Sequence, residues 1–147
     1  MGIVEATYAE IKQQELKKNP YSCLSTADID VNPHQVEAFT FSLAAMKLGG
    51  AILADEVGLG KTIEAGLVLK YLLNSGSQKI LLVMPSNLRK QWQVELDEKF
   101  EVESIIVESG NWDEYKSYVK NESAVVIVSY NFASRPASYS QYLKDKK

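Results

Sequence analysis

The sequence predicts an α/β domain, a three-layer parallel sheet joined by crossover helices, and three observations carry that reading. From Asn32 onward, short β-branched or aliphatic runs alternate with longer amphipathic stretches. A glycine-rich loop lies between an apolar run and an apolar helix, the order expected at the ligand edge of such a sheet. The 147 residues are 46% apolar, enough for one ordinary core and too many for a disordered tail. With 16 Lys+Arg against 19 Asp+Glu the net charge is -3, so a polyanion would have to be held by local sites. Arg89 and Arg135 are the only guanidinium groups available for bidentate phosphate contacts. No apolar run approaches the roughly 20 residues of a membrane helix and no secretory signal is read, so no membrane association is expected. Cys23 is the single cysteine and reads as a small packing residue in a reducing cytoplasm.

Residues 1–31 read as a segment packed on the outside of the domain. Tyr8, Ile11 and Leu16 suggest a helix that Asn19-Pro20 ends. The domain proper is expected over 32–147. Asn32 is a good cap and Pro33 suits the first helical position, so a helix should run to about Leu48, where Gly49-Gly50 stops it. Ala51–Ala54 (AILA) is short and wholly apolar, as expected of a buried central strand, and the helix after Lys61 is apolar on most faces. Lys79–Met84 (KILLVM) reads as a second strand ended by Pro85, with Ser86 as a cap for the next helix. That helix, Asn87 to about Phe100, places Leu88, Trp92, Leu96 and either Lys99 or Phe100 on one stripe. Ser104–Val107 is a third strand, Trp112 to Lys120 a short helix, and Ala124–Val128 a fourth strand. Trp112, Tyr115 and Tyr118 recur at spacings of three and read as a packing stripe.

The most specific segment is ADEVGLGKT, comprising Ala54, Asp55, Glu56, Val57, Gly58, Leu59, Gly60, Lys61 and Thr62. Between a strand and a helix it makes a phosphate cradle. Gly58 and Gly60 let the backbone bend so that successive N–H groups point inward, and the helix adds its positive end. Lys61 reaches the terminal phosphates and the Thr62 hydroxyl serves Mg²⁺. Asp55 departs from the general G-x-x-x-x-G-K-[ST] pattern, which wants glycine there.

ILADEVGLGKTIEAGLVL resembles the nucleotide-binding motif of the Swi/Snf-related branch of superfamily two helicase-like ATPases, in which Asp-Glu commonly opens the loop. Its continuation Thr62-Ile63-Glu64-Ala65-Gly66 is most similar to the bacterial RapA-like branch. The resemblance spans roughly Asn32 to Tyr130 and implies a P-loop NTPase of RecA-like fold, ATP with Mg²⁺ as cofactors, and double-stranded DNA as partner. It also makes RNA polymerase or other proteins candidate partners. In this family the glutamine after a Pro-His pair contacts adenine, which points to Gln35; the residues alone equally allow an ordinary surface glutamine. His34 reads as a solvated residue at the helix start.

LLVMPSNLRKQWQVEL resembles the family segment that touches the nucleic-acid backbone, giving Ser86, Asn87 and Arg89 as candidate contacts. An N-cap and a charged, solvated face would explain the same residues, and Trp92 reads as core. VVIVSYNF resembles the segment in which a Ser/Thr-Tyr pair faces nucleic acid, here Ser129 and Tyr130; a helix cap explains Ser129 equally well. If the strands are parallel, Ala54, Met84 and Val128 end at one edge.

Hydrolysis in this family also needs an acidic pair after a later apolar strand, and arginines from a second domain. Asp97-Glu98 and Asp113-Glu114 fall on helices, and AVVIV leads to Ser129-Tyr130 without an acid. The expectation is an incomplete RecA-like domain, truncated before the acidic motif, that binds ATP weakly or not at all alone and does not turn it over. Self-association or partial disorder is expected near the Lys-rich end. Two rivals use the same residues: a small-molecule kinase, poorly supplied with arginine for a phosphoryl acceptor, and a docking module that kept the fold without the chemistry.

Overall fold

A computed structural model of the chain describes residues 30–54, 60–77, 79–120 and 123–134. The expected first helix, Cys23, the cradle residues Asp55 to Leu59, Arg135 and the Lys-rich end lie outside the described residues. The chain divides into two compact units, Met1–Ser77 and Gln78–Lys147.

The first unit holds two helices. Helix α1 (Pro33–Met46) begins at Asn32, whose extended backbone (φ -78°, ψ 153°) sets the chain up for the turn, and has Pro at its start. It ends near Gly49, a left-handed position (φ 113°) that the absence of a Cβ permits. Helix α2 (Lys61–Asn74) follows Gly60. The two helices pack together: Phe39 and Leu67 are fully buried, and the Phe39 and Tyr71 rings meet edge to face with centroids 6.0 Å apart. Each fully buried side chain of this size contributes about 1.5–3 kcal/mol.

The expected strand at Ala51–Ala54 is not formed. The backbone there is irregular, and Ile52 is 87% exposed. Two alanines give the segment little side-chain surface to hold it against a neighbour, so an apolar run did not by itself make a central strand.

The second unit is a parallel sheet with helices. Strands β1 (Lys79–Met84) and β2 (Ile105–Ile106) flank β3 (Ala124–Ser129), in the order β1-β3-β2. The register runs from Lys79 opposite Ala124 to Met84 opposite Ser129, and Ile105 and Ile106 stand opposite Val126 and Ile127. Every residue of β3 is buried, as expected of a strand covered on both faces. Val126 and Val128 pack with Ile105, Val107 and Tyr115, and period-two alternation turns Val125 and Ile127 to the opposite face.

Helix α3 (Arg89–Phe100) packs against β2 and β3. Leu96 and Phe100 are its buried positions, with Leu88 and Trp92 half-buried along the same stripe. Phe100, not Lys99, completes the stripe; Lys99 pairs with Glu95 at 3.0 Å on the helix flank. The helix closes at Glu101, a left-handed residue (φ 53°), with Val102 N–H donating to the Leu96 carbonyl at 3.0 Å.

Helix α4 (Trp112–Tyr118) puts Tyr115 in the core and Tyr118 at its margin, as the spacing of three predicted for these two. The Tyr118 hydroxyl donates to the Glu103 carbonyl (2.8 Å) and accepts from Val125 N–H (3.2 Å), joining the loop before β2 to β3. Helix α5 (Tyr130–Ala133) follows β3 directly.

Candidate functional site

In the first unit the side chain of Gln35 and the backbone of Gly60 come together. Gln35 lies in the first turn of α1 and is 2% exposed. Its Oε1 accepts a hydrogen bond from Asn32 N–H at 3.0 Å, while its own N–H donates to the Asn32 carbonyl at 3.0 Å, so backbone and side chain both clasp the helix start. Its Nε2 faces Gly60: a Cβ built on that glycine would stand 2.5 Å from Nε2. Gly60 has φ 91° and ψ 37°, so two independent constraints, a left-handed backbone and a close neighbour, require glycine here. The carboxamide is thus a buried group beside the last cradle residue, and no ordinary surface glutamine.

Lys61 and Thr62 open α2 immediately after that glycine. The first ladder bonds run from Ile63 and Glu64 N–H to the Gly60 carbonyl, at 2.8 and 3.1 Å. The amides of Lys61 and Thr62 therefore precede the ladder, where the helix dipole favours an anion. Lys61 brings an ammonium group, Thr62 a hydroxyl and the two residues a helix start, donor types that suit a phosphate group. Asp55, Glu56, Val57, Gly58 and Leu59, the rest of the expected cradle, lie outside the described residues. Among the described residues there is no group of three His, Cys, Asp or Glu that could hold a metal ion.

Sequence reading missed Glu64, fully buried in the first turn of α2. Its signal was an acid within an otherwise apolar run, and its place at the helix N-terminus is the favourable one for a carboxylate.

In the second unit, parallel pairing brings Met84 and Ser129 to the same carboxyl edge of the sheet. Ser86 and Asn87 are exposed there in the turn after β1. Ser86 does not cap α3; the cap position falls on Leu88, because Pro85 and Leu88 close a turn first (Leu88 N–H to Pro85 carbonyl, 3.1 Å). Ser129 does act as a cap: its Oγ accepts from Phe132 N–H at 3.1 Å. Tyr130, next in the chain, is 58% exposed.

Arg89 is committed to protein groups. Its Nε donates to the Ser86 carbonyl at 3.2 Å and a terminal guanidinium nitrogen donates to Glu108 Oε1 at 2.8 Å. Glu108 lies just beyond β2, where its N–H donates to Asn111 Oδ1 (2.8 Å) and Asn111 Nδ2 donates to the Ile106 carbonyl (2.7 Å).

The described helices include none long and apolar enough to cross a membrane. Against known proteins, residues 34–146 match the model of the SNF2-related domain. A Bacillus subtilis (strain 168) protein named Uncharacterized ATP-dependent helicase YqhH is 43% identical over 104 residues, which is 70% of this chain and 17% of that protein. The chain therefore spans about one sixth of the length of this curated relative. Among solved structures, the Sulfolobus solfataricus SWI2/SNF2 ATPase core in complex with dsDNA matches with a TM-score of 0.61 and 23% identity, over 72% of this chain and 22% of that one. The fold is that of the core, an incomplete RecA-like α/β arrangement.

Proposed function

The chain belongs to the SNF2-related domain family, and on that premise we propose that it is the ATP-binding portion of a DNA-dependent, helicase-like ATPase. The observation that carries the reading is the meeting of Gln35 with Gly60 at the head of the Lys61 helix. In this reading the segment from Asp55 to Gly60 wraps the phosphates with backbone N–H groups, Lys61 neutralises the terminal phosphates and Thr62 offers its hydroxyl to Mg²⁺. Gln35 sets the adenine side of the site. Bound ATP with Mg²⁺ supplies the phosphoryl group whose cleavage drives movement.

Ser86, Asn87 and Tyr130 meet duplex backbone at the carboxyl edge of the sheet, and Ser129 shapes that edge by capping the helix that carries Tyr130. The relative's name, an ATP-dependent helicase, and the neighbour's solution with dsDNA support this reading. Most of the relative's length lies outside the match. We assign turnover to a protein of the relative's full extent and propose that the 147 residues alone are inactive. The RapA-like continuation after Thr62 makes RNA polymerase, in the cytoplasm, the protein partner to test.

The test is duplex-stimulated phosphate release by the full-length protein. Lys61→Ala is expected to abolish it while leaving the thermal melt in place; unaltered turnover would reject the assignment.

A further inference from the structure

We infer that Arg89 serves the nucleic-acid edge as a positioning residue, acting through Glu108 and the Ser86 carbonyl, and does not itself bind phosphate. The inference rests on the proposed reading that the Ser86–Leu88 turn meets DNA. Arg89 was the cationic residue of that turn best suited to a phosphate, because guanidinium takes phosphate oxygens in pairs. The structure puts its fork to another use. Only 15% of the side chain is exposed, and it binds the Ser86 carbonyl at 3.2 Å and Glu108 at 2.8 Å. The bond to Ser86 holds the turn after β1; the bond to Glu108 reaches the turn after β2.

Those two strands flank β3, so the ion pair ties the exits of both outer strands at the edge where β3 delivers Ser129 and Tyr130. The far end of the strap is itself held. Asn111 accepts from Glu108 N–H and donates to the Ile106 carbonyl, fixing the loop from which the carboxylate projects. Glu108, 58% exposed, also places a negative charge where a polyanion would approach. A carboxylate there opposes DNA unless its work is to hold the arginine.

That opposition gives the test its sign. If Arg89 binds phosphate, Glu108→Gln removes a competitor and a repelling charge, so duplex affinity rises or stays level. If Arg89 positions the turn, the same neutralisation releases the strap and affinity falls. Duplex binding by the full-length protein is measured by fluorescence anisotropy across a salt series for Glu108→Gln, Glu108→Asp, Arg89→Lys, Arg89→Gln and Asn87→Asp, with thermal melts confirming that each variant folds. We expect Glu108→Gln and Arg89→Lys each to weaken binding about threefold to fivefold, the scale of one partly exposed ion pair, with the salt slope of the parent retained. Glu108→Asp, which keeps the carboxylate, should recover part of the loss.

Unchanged or tighter binding by Glu108→Gln, with Asn87→Asp still weakening it, overturns the positioning role and leaves the DNA edge standing. An Arg89→Gln variant whose salt slope is shallower by about one unit also overturns it, since losing that charge together with one released counterion is the signature of a lost phosphate contact. If Asn87→Asp and all the others bind as the parent does, the DNA-facing reading of this edge fails.

Discussion

Replacing Gly60 with alanine probes the contact on which the nucleotide site is built. The new Cβ would stand 2.5 Å from Gln35 Nε2, closer than side-chain carbons approach nitrogen, and it would sit on a backbone at φ 91°. The left-handed conformation costs a non-glycine residue about 1–2 kcal/mol. The overlap would cost little if the carboxamide could swing away, but Gln35 is buried and its oxygen is tied to Asn32 N–H at 3.0 Å. Moving it gives up half of the capping arrangement at the head of α1, a further ~1 kcal/mol. The total is a loss of about 2–3 kcal/mol.

A double-mutant cycle separates the two parts. In a Gln35→Ala background the overlap is gone and only the backbone penalty remains, so Gly60→Ala should be milder there by about 1 kcal/mol. Urea denaturation of the single and double variants measures this. Strict additivity, or a neutral Gly60→Ala, would show that Gln35 does not rest on Gly60.

Three further outcomes follow from local geometry. Glu101→Gly should raise stability by about 0.5–1 kcal/mol in thermal melts, because the residue ending α3 is left-handed at φ 53° and glycine adopts that conformation freely. Tyr118→Phe should destabilise at neutral pH by about 1–3 kcal/mol, since it leaves Val125 N–H and the Glu103 carbonyl without their bridging hydroxyl. Burial holds the Tyr118 phenol above its ordinary ionisation range, opposed by the hydrogen bond from Val125 and aided by the charge of Glu103. Its folded-state value exceeds the unfolded one, so this stabilisation is complete below about pH 10 and is lost as pH rises beyond it. Melting in alkaline buffers should therefore fall more steeply for the parent than for Tyr118→Phe.

The parallel strands were legible because ILLVM and AVVIV are continuous apolar runs bounded by turns; only AVVIV is buried along its whole length, while Leu81 and Val83 of the first strand are exposed. The α3 stripe was legible because Leu88, Trp92, Leu96 and Phe100 keep helical spacing. AILA was misread because its composition is that of a buried strand, while two small alanines leave the segment irregular and Ile52 exposed. The Gln35–Gly60 approach was not legible in the sequence, where Gln35 stood out only through the resemblance, since the hydrogen bond from Asn32 N–H decides where the carboxamide lies. Arg89 shows the opposite limit. Its ion-pair partner, Glu108, comes from a separate strand exit that no local pattern announces.

Hydrogen exchange of the full-length protein with and without ATP and Mg²⁺ addresses the central claim without relying on turnover. The account predicts slowed exchange in peptides covering 54–64 and the first turn of α1 around Gln35, and loss of that protection in Lys61→Ala. Protection confined to other segments, with these amides exchanging as in the nucleotide-free protein, would contradict it.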